Sequence, residues 1–130
     1  AVLVALLAGF LWGRAGKASL ESRLRDSELQ ATLVDARAQM FAARVDIFEV
    51  NFGRAGQHLQ AARQSLQEAA NRLNEAGRAD EATRVKDVAA RAAQAQDQAG
   101  RLDQSANTGL SAALVLLDEI TAATRNASTR

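Results

Sequence analysis

The chain has no cysteine, no proline and no tyrosine, and it holds a single histidine, a single tryptophan and a single methionine among 130 residues. Without cysteine there are no disulfides, thiol nucleophiles or thiolate metal sites, an absence that fits reducing and oxidising compartments alike. With His58 as the only imidazole, any histidine-based metal site or triad would have to be built around it alone. The Glu-x-x-His pairs of di-metal bundles are missing. The acids nearest to His58 in the sequence, Glu49 and Asp46, lie across an expected turn, so His58 reads as a solvated or capping residue. Serines and threonines do not fall into a nucleophile motif, and glycines occur singly rather than in a phosphate-cradling loop. No catalytic residue, cofactor or metal is expected, and the chain reads as a non-enzyme. Formal net charge is +1, with acids and bases interleaved, so the concentrated basic face that nucleic-acid binding needs is also lacking.

What the sequence does have is small and apolar side chains in helical register. Alanine, glutamine, arginine and leucine dominate, which is the usage of closely packed helices. From Leu20 to Ala76 apolar or small residues recur at alternating steps of four and three, through Val34, Phe41, Val45, Phe48, Phe52, Leu59, Leu66 and Leu73. That is a helical seam. From Leu29 a second stripe runs alongside it, through Leu33, Ala36, Met40, Ala43, Ile47 and Val50. Two stripes make a wide apolar face that needs more than one neighbouring helix to cover it.

The opening residues, AVLVALLAGFLWG, carry no charge and would form a helix about 20 Å long, short of the roughly 30 Å hydrocarbon core of a bilayer. They are expected to be the visible part of a transmembrane anchor. Phe10, Leu11 and Trp12 close the run, and Arg14 and Lys17 follow it, where an indole and snorkelling cations mark the headgroup layer. A cleaved secretory signal, a buried helix and a subunit-binding helix are the competing readings of so short a run. The cations on the carboxyl side favour a cytoplasmic body by the positive-inside rule. The common bacterial plan of an amino-terminal anchor with an exported domain favours the periplasm, and that sidedness is preferred.

The remaining boundaries follow from turn chemistry. Residues 1–17 are assigned to the anchor, 18–28 to a solvated helical stalk, 29–125 to a helical domain and 126–130 to a polar tail. Within the domain, Asn51 and Gly53 end one helix, Gly77 ends the next, Asp80 caps a third, and residues 105–109 form a turn by composition. Helices are thus predicted over 29–51, 54–76, 80–104 and 110–124, the last carrying Leu114 and Leu117.

The seam would equally allow one rod about 85 Å long from Leu20 to Ala76, but that rod leaves the wide face of 29–50 bare. An all-α, up-down-up-down four-helix bundle is therefore the expected fold. Phe52, Ala55, Leu59 and Ala62 are spaced like the second helix of a tetratricopeptide repeat. The rest of that signature is absent, and the spacing reads as hairpin packing.

The expected function is that of a non-catalytic accessory or structural subunit of a larger membrane protein complex. Its partners would be the lipid bilayer and integral membrane subunits, with a homo-oligomer as a further option, and its place the bacterial inner membrane. Two other classes compete: a sensor module resembling, in architecture only, the ligand-binding bundles of bacterial chemoreceptors, and a self-associating coiled-coil tether.

Overall fold

The structure, a computed structural model, describes the backbone over residues 2–129 and the side chains over residues 16–129. Among the described residues the chain forms four α-helices and no strand: α1 (Val2–Phe48), α2 (Phe52–Glu75), α3 (Ala79–Gly100) and α4 (Ala106–Ser128). α1 has 47 residues, about 70 Å at 1.5 Å per residue, twice the length of its neighbours. Within it, residues 16–25 are exposed all round.

Each helix packs against its sequence neighbours, and α4 closes the ring onto α1. Contacts between side chains set the directions. Along α1 and α2 the pairs run Asp46 with Arg54, Gln39 with His58, Asp35 with Ser65 and Glu28 with Arg72, one number falling as the other rises. Gln98 with Ser105, Arg84 with Glu119 and Glu81 with Thr124 do the same for α3 and α4. Arg44 with Asn107 and Arg37 with Asp118 do so for α1 and α4. The bundle is therefore up-down-up-down, as four helices joined by short turns require.

The core alternates large and small. On α2 the buried line is Ala55, Leu59, Ala62, Leu66, Ala69 and Leu73, so each leucine projects between alanines that let the facing backbone approach. α3 contributes Val85 and Val88 and otherwise alanine, while α4 supplies Leu110, Leu117 and Ile120. Of the seam residues expected from sequence, Leu33, Met40, Leu59, Leu66, Leu73, Leu114 and Leu117 are buried, and Phe52 packs against the core in part.

Val34, Phe41, Val45 and Phe48 differ from the expectation. They lie on the outside of α1, from 39% exposed at Phe41 to 82% at Phe48. At about 100° per residue the stripe that begins at Leu29 and the stripe that holds Val34 are centred about 160° apart. One bundle interior spans only about 100° of a helix surface. It takes one stripe and leaves the other outside.

Three turns close the same way. At the end of α1, Val50 N–H donates to Ile47 O and Asn51 N–H to Asp46 O; Gly77 and Arg78 repeat this on Asn74 and Leu73, and Leu102 and Asp103 on Ala99 and Gln98. These are Schellman caps, whose key residue adopts left-handed backbone: Val50 at φ 61°, Gly77 at φ 73° and Leu102 at φ 59°. Only one of the three is glycine. Asn51 does not end α1. Its side chain accepts from Arg54 N–H at 3.3 Å and caps α2, and Gly53 lies inside that helix. Asp80 sits in the first turn of α3 rather than at its cap, which is Arg78. Ser105 takes the cap position of α4, so most of the expected turn 105–109 is already helix.

Among the described residues no helix is long and apolar enough to cross a membrane. The expected anchor residues Phe10, Leu11, Trp12 and Arg14 lie outside the described side chains, and Lys17 is exposed.

Candidate functional site

Two features of the bundle are unlike the rest: a buried charge at the α1–α2 corner and a bare apolar stripe on α1. The buried charge is Asp46, only 1% exposed. A carboxylate taken out of water needs positive charge or hydrogen-bond donors close by. Arg54 brings its guanidinium to 2.8 Å from one oxygen, and His58 Nε2 stands 3.4 Å from the other. His58 Nδ1 is 2.8 Å from Gln39 Oε1, which fixes the ring between α1 and α2. Neither carboxylate oxygen receives a well-directed hydrogen bond among the described residues, so Arg54 acts on it through charge and proximity.

The sequence places His58 across a turn from Asp46 and so hides the pairing. The hairpin folds Arg54 and His58 back onto the last turn of α1, and His58 is a clamp rather than a solvated residue. A carboxylate beside an imidazole is two-thirds of a hydrolytic triad, but among the described residues no hydroxyl bonds to His58. Nor do three His, Cys, Asp or Glu side chains gather anywhere among the described residues to hold a metal. What the corner does is pin α1 to α2.

A second polar joint lies at the opposite end. Arg78 at the start of α3 grips Glu81 through two guanidinium nitrogens, Nε and Nη2, and Thr124 of α4 donates to the same carboxylate at 3.2 Å. The Arg78 hydrogen bonds hold the Glu81 carboxyl below the ordinary carboxylate value against the opposing effect of partial burial. Thr124 also donates to Ile120 O at 2.9 Å, so its hydroxyl is shared within α4 and with α3.

The apolar stripe is the larger feature. Leu20, Leu24, Val34, Phe41, Val45 and Phe48 are all exposed on one line of α1, with Ser27, Ala31 and Ala38 at the intervening positions. Scattered exposed leucines are ordinary, but an apolar line along one helix is the kind of surface that contacts other molecules. Near its carboxyl end an open groove of about 270 Å³ is lined by Phe41, Arg44, Val45, Phe48 and Asn107. The Arg37 guanidinium lies 4.7 Å over the Phe41 ring while pairing with Asp118, which steadies that end.

Comparison with family models, with curated proteins and with solved structures finds no match. The reading of this chain therefore rests on its own residues. Among them the stripe, with no chemistry attached, is the surface best suited to contact.

Proposed function

We propose that the protein is a non-catalytic accessory or structural subunit of a larger membrane assembly, held by one transmembrane helix of which residues 1–13 are the visible part. The observation that supports this is the continuity of α1. One helix runs from Val2 to Phe48, so the uncharged opening and the first helix of the bundle belong to the same rod. Whatever holds the start of α1 thereby sets the position of the bundle, at a distance fixed by helical rise rather than by a flexible linker. The grooves between helices support a ligand-binding role less well: the one between α2 and α3 is lined by Gln60, Arg63, Gln64, Gln67 and alanines, with no enclosed apolar pocket. On this reading the protein resides in a bacterial inner membrane with its bundle on the periplasmic side.

Cell fractionation of the native protein tests the proposal. It is expected to stay with membranes through high-salt and carbonate washes, to be released by mild detergent together with integral membrane subunits, and to be digested by protease added to spheroplasts. Recovery as a freely soluble, solitary chain would end the proposal. Protection from protease in intact spheroplasts would reverse the sidedness alone.

A further inference from the structure

The exposed stripe of α1 obeys a stricter rule than apolar character. Every seventh residue from Leu20 to Phe48 takes one core position of a heptad, d, and every seventh from Leu24 to Val45 takes the other, a. The register holds over four heptads, about 42 Å of helix, and reaches beyond the bundle into the stalk. Four heptads are the length at which such a pattern identifies a coiled coil. The core stripe cannot be the cause of it, because that stripe faces the other way.

The residues beside the seam select the occupant. The four positions preceding the a residues are Arg23, Gln30, Arg37 and Arg44, none of them acidic. Those following the d residues are Glu21, Glu28, Asp35, Ala42 and Glu49, none of them basic. In a parallel pair of identical helices each residue of the first set meets a residue five places on in the second. Arg23 would meet Glu28 of the second copy, Gln30 would meet Asp35, and Arg44 would meet Glu49. An antiparallel pair would instead set arginine against arginine and glutamate against glutamate. Among the described residues Arg23 and Glu49 have no ion-pair partner within the chain, whereas Glu28, Asp35 and Arg44 already bond Arg72, Ser65 and Asn107 and would be shared with a second copy.

We propose that two copies of this chain associate in parallel through the outer face of α1, Leu20 to Phe48, as a two-stranded coiled coil with the bundles on opposite sides. The seam lies about 160° round α1 from the core stripe, so the bundles do not compete for the same space. Pairing also gives the stalk a neighbour. Residues 16–25 are exposed all round in a single chain, and helices without tertiary packing are marginal in water. The small residues Ser27, Ala31 and Ala38 allow close approach at mid-seam, with leucines at one end and phenylalanines at the other. Dimerisation does not depend on the membrane reading, although a parallel pair does bring both chain starts to one side.

The test uses the full chain in mild nonionic detergent. Its mass by sedimentation, corrected for bound detergent, is expected to be twice the 13.8 kDa of one chain. Val34 and Val45 are 54% and 55% exposed, so the double variant Val34→Glu/Val45→Glu is expected to keep its helix content and raise the dimer dissociation constant at least about a hundredfold. Because the chain has no cysteine, a single Ala31→Cys is expected to oxidise to a disulfide-linked dimer, as facing a positions allow, while Ala90→Cys on the exposed side of α3 is not. A mass of one chain at high micromolar concentration would overturn the proposal, including the case in which the lone chain pairs only with a different protein. So would a dimer that survives Val34→Glu/Val45→Glu, or preferential cross-linking of a Leu20→Cys chain to a Val45→Cys chain, which would mean antiparallel strands.

Discussion

The inner and outer faces of α1 carry nearly the same pattern and meet opposite fates. Leu33 and Met40 are fully buried, whereas Val34 and Phe41, each one position further along, stand 54% and 39% exposed. Both lines advance by steps of four and three, and both use leucine, valine, alanine and phenylalanine or methionine. Apolar periodicity thus states that a helix has a face to bury without stating against what. The chain's own hairpin partner claimed one face, and the other stays exposed on the single chain.

The sharpest way to break this comparison is by truncation on each side of it. Leu33→Ala, or Leu66→Ala facing it from α2, is expected to cost about 2 to 5 kcal/mol, because a side chain with no exposure leaves a cavity that the bundle refills only in part. Urea unfolding followed by circular dichroism measures it, and a loss under 1 kcal/mol would show that the inner face is not the core. Val45→Ala, by contrast, is expected to change the unfolding free energy of the single chain by no more than about 0.5 kcal/mol. Stability of the unaltered chain is further expected to rise with its concentration, since association through the outer face favours the folded form by mass action. A midpoint independent of concentration would argue that the outer face stays bare.

The α1–α2 corner offers a smaller test. Arg54→Ala strips the buried Asp46 carboxylate of its nearest cation and is expected to cost about 1 to 3 kcal/mol. The loss should be largely recovered in Asp46→Asn/Arg54→Ala, where no charge remains to be compensated. A double variant no more stable than the single would assign the effect to the packing of the arginine stem.

The three Schellman turns form a comparison of their own. Val50 holds a β-branched side chain in left-handed backbone, a conformation that costs about 1 to 2 kcal/mol outside glycine. Glycine removes that strain but adds about 0.5 to 1 kcal/mol of chain entropy to the unfolded state. Val50→Gly, and likewise Leu102→Gly, is therefore expected to stabilise the bundle by about 0.5 to 1 kcal/mol. Gly77→Ala should destabilise it by about 1 kcal/mol for backbone reasons alone, since an added Cβ would touch nothing within 4 Å. Thermal midpoints of the three variants would decide between this account and one based on contacts.

The smallest effect is one of pH. Glu81 has its carboxyl lowered below the usual 4.5, chiefly by hydrogen bonds from Arg78. A lowered folded-state value means the unfolded chain takes up the proton first as acid is added. The stabilisation is complete above the unfolded-state value and is lost as pH falls through it toward the folded-state value. Glu81→Gln is expected to flatten this part of the acid limb, with little further change between pH 6 and pH 8.

Much of the fold was legible in the residues. Four helices, their order, and the leucine–alanine line of α2 all follow from periodicity and from the absence of any strand pattern. The ends were less legible, for a reason visible at each of them. Asn51, Gly53 and Asp80 are residues that turns and caps favour, but Val50 and Leu102 took the left-handed positions although nothing in their chemistry recommends them. Helix packing fixed where each turn had to fall, and local preference yielded. The Asp46–His58 clamp was hidden because its members are twelve positions apart and meet only when the hairpin closes.

The order of residues by itself determined that this chain is helical, because the repeat of small and apolar side chains matches the pitch of an α-helix and no other element. It also determined the heptad on α1 and the charges beside it, which are properties of one helix. Only the packed bundle decided which of two equivalent stripes became interior. A helix turns its faces in every direction, and selecting one to bury requires a neighbour whose position the local pattern does not contain.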